Sequence, residues 1–176
     1  MSQLPQIDYD TASEEIRVAH DEEMRVRGRM TNMKRTLLHS PAAHRIYAEW
    51  FTLRAELNPA VNDREIWIFS HSISKALKSD IAITFFRRAL INSGFNPDAL
   101  ELSETESLLK RFGTAIVVDS NAIPADLWPE LKARYDTKVL VDLVAFAGIM
   151  IATAVFNNVI EVDFDPELEA FAEGAN

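Results

Sequence analysis

The sequence predicts an all-α protein of about six to eight helices. Three observations lead there. Apolar residues recur at helical spacing along most of the chain, and no segment alternates convincingly with period two. Good N-cap residues stand at the heads of the apolar segments. Five Gly and seven Pro in 176 residues are too few for a turn-dense β fold.

Residues 11–29 read as a first helix, charged over most of its surface. Its apolar positions are sparse: Ile16, Val18, Ala19, Met24 and Val26. Such a helix belongs at the edge of the fold or against another subunit. A second helix begins at Ser40-Pro41, with Ser as N-cap and Pro at the first helical position. Ile46, Tyr47, Trp50, Phe51 and Leu53 give it a wide apolar face, and Asn58-Pro59 ends it. A third opens at Asn62 with Glu65 at capping-box spacing, and Ile66, Phe69, Ile73 and Leu77 follow at helical intervals.

Lys78-Ser79-Asp80 breaks that helix, and a fourth runs from Asp80 to about Ser93 with Gly94 as its C′ residue. Ile81, Phe85 and Ala89 line one of its faces, with Ala82 and Phe86 beside them. Ser103 and Glu106 form a second capping box, starting a helix to about Val118. A short helix follows Asp126. The last, residues 137–160, is the most apolar, and an acidic tail over 166–176 closes the chain. No linker or repeat divides residues 1–176, so one domain is expected.

A net charge of -9 argues against nucleic acid or an anionic membrane as partner. Residues 139–156 are about long enough to span a bilayer. Asp142 inside that stretch and Asp136, Asn157 and Asn158 at its ends favour a central buried helix instead. No basic region followed by an apolar run opens the chain, so no signal peptide is expected. The absence of cysteine fits a cytoplasmic protein and excludes disulfides, thiolate metal sites and cysteine nucleophiles.

The order of short segments adds more. Asn32-Met33-Lys34-Arg35-Thr36-Leu37-Leu38-His39-Ser40-Pro41 is followed by Glu49-Trp50. Then come His71-Ser72-Ile73-Ser74, Thr84-Phe85-Phe86-Arg87-Arg88 and Gly94-Phe95-Asn96-Pro97. Leu140-Val141-Asp142-Leu143, a mid-helix Gly148 and Phe156-Asn157-Asn158 complete the series. Together these resemble the peroxidase-related branch of the carboxymuconolactone decarboxylase and alkylhydroperoxidase D-like superfamily. The resemblance covers roughly residues 30–165, leaving 1–29 as an N-terminal helical extension. It implies an alkylhydroperoxidase D-like helical bundle and a homo-oligomer built on at least a dimer.

The family's redox members carry Cys-x-x-Cys at the start of the fourth helix, where backbone N–H groups stabilise a thiolate. The matching positions here are Ser79 and Ala82, and Phe86 stands where some members have His. A serine hydroxyl is not oxidised by peroxide, so thiol peroxidase chemistry is excluded. The resemblance also points to Glu65, near the region where relatives place a catalytic Glu. Its capping-box role explains it without catalysis, and Ser79 is equally explained as an N-cap.

His71 is a candidate general acid or base, because imidazole titrates near neutrality; a core or interface histidine is the alternative. Arg88 shares a stripe with Ile81 and Phe85, which favours partial burial and a carboxylate contact. Adjacent Arg87 points about 100° away and is read as a maker of surface pairs. Trp67 and Phe86 are the expected apolar walls of a substrate site. His39 and His44, five apart, make a poor metal pair, and no cluster has trustworthy ligand spacing. Neither metal nor cofactor is therefore expected. Three functions remain open: a non-thiol lyase, decarboxylase or isomerase acting on a small organic carboxylate; a non-catalytic binding or assembly subunit; and a thiol-independent peroxidase-related protein.

Overall fold

The structure, a computed structural model, describes residues 2–172. Among the described residues it is all-helical, with nine α-helices and a closing 3-10 turn. They are α1 (Glu14–Arg27), α2 (Asn32–Leu37), α3 (Pro41–Ala48), α4 (Trp50–Leu57), α5 (Asp63–Ala76), α6 (Asp80–Asn92), α7 (Glu104–Val118), α8 (Leu127–Arg134) and α9 (Thr137–Ile160). The count exceeds the expected six to eight for a local reason. A short helix capped by Thr31 precedes Ser40, and the expected second helix is interrupted at Glu49.

The caps at Ser40, Asn62 and Ser103 are those the sequence shows. Ser40 accepts from the N–H of Ala43, with Pro41 at the first helical position. Asn62 with Glu65 and Ser103 with Glu106 both form complete capping boxes. At the end of α6, Gly94 takes φ +84. There the Phe95 N–H reaches back to the Leu90 carbonyl at 3.0 Å, a Schellman closure that fixes where the chain leaves the helix.

Helix α5 is the central element, packed on α6, α7 and α9. Its Phe69 stacks between Phe112 of α7 and Phe146 of α9, with ring centroids 6.1 and 6.4 Å away. The approach of α5 to α7 depends on Gly113. A Cβ there would sit 3.0 Å from the Phe69 carbonyl oxygen and closer still to the Ser72 hydroxyl.

One of the two readings of α1 is met, and two other expectations are corrected. Helix α1 lies at the edge of its own chain: Ile16 and Ala19 pack near Ile7, Met30 and Leu38, while Val18, Met24 and Val26 stay exposed. The residue it buries is Glu23. Helix α9 is not a central buried helix. Leu143, Phe146, Ala147, Met150 and Ala154 face inward, but only a third of its most apolar window is buried. The tail is not simply acidic surface either. Pro166–Phe171 forms a 3-10 turn docked on α6 with Leu168 buried, while residues 173–176 lie outside the described residues.

Candidate functional site

Helices α3, α6 and α9 converge on a largely apolar cavity of about 130 Å³. Helical spacing explains its walls. His44, Tyr47 and Ala48 lie on one stripe of α3, and Phe51 continues it into α4. Met150, Thr153 and Asn157 recur every three or four residues on α9. The first two turns of α6 contribute Ile81, Ala82, Phe85 and Phe86. Thr31, Lys34 and Asp165 close the remaining side.

One wall carries a buried ionic cluster. The Glu23 carboxylate, on a residue only 2% exposed, meets three basic groups. Lys34 Nζ is 2.5 Å away, Arg27 Nη1 2.9 Å and His44 Nε2 3.5 Å. Arg27 also lies over the Phe51 ring, 4.4 Å from its centre. With two cations against one carboxylate, the cluster keeps a net positive charge when His44 is neutral. Burial pushes the His44 imidazole below its ordinary value; Glu23 opposes this, while Lys34 and Arg27 reinforce it. His44 is therefore a neutral base at pH 7.

Two further polar groups face the space. The carboxamide oxygen of Asn157 is buried with no hydrogen-bond partner among the described residues. Asp165 accepts from the Asn32 N–H at 2.7 Å. Burial nevertheless pushes its carboxyl above the usual range, more than that bond lowers it.

The sequence-predicted residues do not meet in one pocket. Phe86 lines the cavity, and so does Ala82. Trp67 is buried in the core, its ring 6.1 Å from that of Phe86 and 4.3 Å from the Arg54 guanidinium. His71 lines a separate groove with Lys75, Asp98 and Lys110. Glu65 is engaged at the start of α5, where its carboxylate accepts from the Asn62 N–H at 2.8 Å. Ser79 holds the N-cap position of α6 without making the expected side-chain bond. Its hydroxyl is buried and unpartnered among the described residues.

Arg88 is partly buried as expected, but Arg87 makes the carboxylate pair. Arg87 is the buried one and makes a bidentate pair with Asp98 at 2.5 and 2.8 Å. Arg88 is half-buried over the Phe85 ring, 5.1 Å from its centre. Asp142 pairs with Lys138 at 2.8 Å and leaves Arg88 aside. The inward face of α6 runs through Ile83, Phe86, Arg87 and Leu90; Ile83, Arg87 and Leu90 each stand two residues on, about 200° round, from the stripe of Ile81, Phe85 and Arg88.

Sequence reasoning missed Glu23, Lys34, His44 and Asn157 as site residues. For His44 a signal was present: it shares a stripe with Tyr47 and Phe51, so it had to face apolar neighbours. Glu23 sits among charged neighbours and gave none. Among the described residues no group of three or more His, Asp or Glu could hold a metal ion. No family model matches the chain, and no curated protein matches it.

Proposed function

We propose that the chain is a non-thiol lyase, decarboxylase or isomerase that works by proton transfer on a small, partly apolar organic carboxylate, held in the α3–α6–α9 cavity. One observation carries the reading: a neutral, buried histidine lines an apolar cavity and sits 3.5 Å from a buried glutamate. His44 takes a proton from the carbon next to an activating carbonyl or carboxyl group. The imidazolium so formed is stabilised by the Glu23 carboxylate. Returning that proton to a different carbon gives isomerisation. In decarboxylation no C–H proton is taken first: the electron pair of the breaking carbon–carboxylate bond passes into the activating carbonyl as carbon dioxide leaves, and a solvent proton delivered through His44 ends on that carbon. The excess positive charge around Lys34 attracts the substrate carboxylate, the task first assigned to Arg88.

The size of the space limits the substrate. A cavity of about 150 Å³ is enough for benzene, so 130 Å³ suits a body of comparable size. The proposed kinship with the carboxymuconolactone decarboxylase and alkylhydroperoxidase D-like proteins is supported by the all-helical fold and by the cavity's place at the head of α6. Ala82, at the position of the second cysteine, and Phe86, where some members have His, both line it, while Ser79 does not. The test is a thermal-shift and ligand-observed NMR panel of benzoate, cyclohexenecarboxylates and 2-naphthoate. The single-ring acids should bind and raise the Tm, and the double ring should not. Absence of binding by every single-ring acid would remove the proposal.

The binding or assembly reading also has an observation in its favour, the bare outer face of α9. That face can coexist with a catalytic cavity.

A further inference from the structure

Between Asp142 and Glu161, helix α9 is apolar apart from Thr153, Asn157 and Asn158. Asn158 is exposed, and its amide donates to the Leu77 carbonyl at 3.1 Å. Thr153 and Asn157 stand one turn apart on the stripe that faces the cavity. Asn157 is 4% exposed, and its carboxamide oxygen has no hydrogen-bond partner among the described residues. An unpaired buried acceptor destabilises the free protein, whereas leucine has the same branched shape and would leave nothing unpaired.

We infer that the acid held in the cavity is a hydroxylated one, with its hydroxyl bonded to the Asn157 carboxamide and its carboxylate turned toward Lys34. The inference rests on the proposed function, which makes this cavity the substrate site. Lys34 and His44 come from α2 and α3, and Asn157 comes from α9. The two polar groups of one ligand are therefore read by different helices. Asn157 is a specificity-determining residue in this arrangement, and His44 remains the base.

The chemistry of the amide selects the second group. A carboxylate carries no proton, so it cannot satisfy the amide oxygen. Asp165, the one carboxylate among the described residues lining the cavity, already accepts from the Asn32 N–H. The ligand must therefore bring a donor. An ammonium group would donate, but it is costly to bury among apolar walls that already hold Lys34. A hydroxyl adds a single heavy atom, which suits a space of about 130 Å³. It donates to the amide oxygen and also accepts from the amide N–H, so it matches the carboxamide turned either way. The Thr153 hydroxyl lies one turn away on the same wall as a second partner.

The test compares matched single-ring acids on the full chain by titration calorimetry: 3- and 4-hydroxybenzoate against 3- and 4-fluorobenzoate. Fluorine is close to a hydroxyl in size and carries no proton to donate. At least one hydroxy acid should bind about 10-fold or more tightly than its fluoro counterpart. In Asn157→Leu, and in Asn157→Ala, which cannot overpack the site, that preference should fall below about 2-fold while the fluoro acids still bind the alanine variant. Equal affinity of the hydroxy and fluoro acids would overturn the inference and leave the cavity reading standing. So would a preference that survives both variants, because another group would then read the hydroxyl. Tighter binding of 3-(aminomethyl)benzoate than of 3-hydroxybenzoate would mark an ammonium ligand and also overturn it. Failure of all these acids and of benzoate to bind would remove the cavity reading and this inference together.

Discussion

The α5–α7 contact and the α3–α6–α9 cavity lie in the same bundle and are packed in opposite ways. At the first, Gly113 meets Phe69 and Ser72 so closely that one added methyl has no room. At the second, about 130 Å³ stays unfilled between aromatic walls. Cavities cost stability, as does burying a histidine against a charged cluster. A chain able to pack one contact to this density could have filled the other with a larger residue at Ala82. The difference is the ground for the proposed site: the tight contact holds the fold, and the loose one leaves room for a ligand.

The comparison breaks most visibly at Glu23. Removing this carboxylate leaves Arg27 and Lys34 close together without their anion. Both cations reach solvent at their edges, with side chains 24 and 19% exposed. The expected loss for Glu23→Ala is therefore about 2–4 kcal/mol, below the full penalty for a wholly buried pair. Urea denaturation measures it, and a loss under about 1 kcal/mol would show that the cluster is not coupled to folding. Gly113→Ala comes next. Overpacking should cost about 1–3 kcal/mol with ligand binding unchanged, because the contact is remote from the cavity. A neutral Gly113→Ala would mean that α5 and α7 can separate freely.

A third change sharpens the contrast from the other side. Breaking the capping box with Glu65→Ala should cost about 1 kcal/mol and leave turnover on any substrate untouched. Loss of turnover in a folded Glu65→Ala protein would return Glu65 to the catalytic group. The smallest effect is expected at Ala82. Ala82→Leu fills the cavity, so stability should shift by no more than about 1 kcal/mol, while single-ring carboxylates stop binding. Binding that survives a stable Ala82→Leu would place the ligand elsewhere.

The pH dependence follows from His44. Its folded value is lowered by burial, so the unfolded chain binds more protons between the two values. The stabilisation is complete above the ordinary imidazole value and is lost as pH falls through it toward the lowered one. Turnover should fall over the same acid window, since protonated His44 is no longer a base. His44→Gln should flatten this part of the stability profile. An unchanged profile would mean that His44 titrates normally.

Most of the fold was legible because it rests on local signals. The capping boxes, Pro41, Gly94 and the apolar spacing of α5 and α7 each report on a few neighbouring residues. The site was less legible because it depends on which face of a helix turns inward. On α6 the buried residues Ile83, Arg87 and Leu90 stand two positions on from the stripe of Ile81, Phe85 and Arg88, so Arg87 is buried as well. Glu23 was invisible for a different reason. Arg27 follows it four residues on along α1, but Lys34 and His44 reach it from α2 and α3, and no spacing along α1 encodes those two contacts. The bare face of α9 was missed because hydrophobicity alone does not separate a buried helix from one with an exposed apolar side.

The central claim is that His44 moves a proton to and from carbon in the cavity. Hydrogen exchange tests this before the natural substrate is known. The purified chain is incubated in deuterium oxide with 3-cyclohexene-1-carboxylate and related unsaturated acids that bind, and deuterium at carbon is followed by NMR. The account predicts incorporation into at least one bound acid, at a rate that falls about 100-fold or more in a folded, ligand-binding His44→Gln variant. Exchange undiminished in that variant, or abolished instead by His71→Gln, would contradict it.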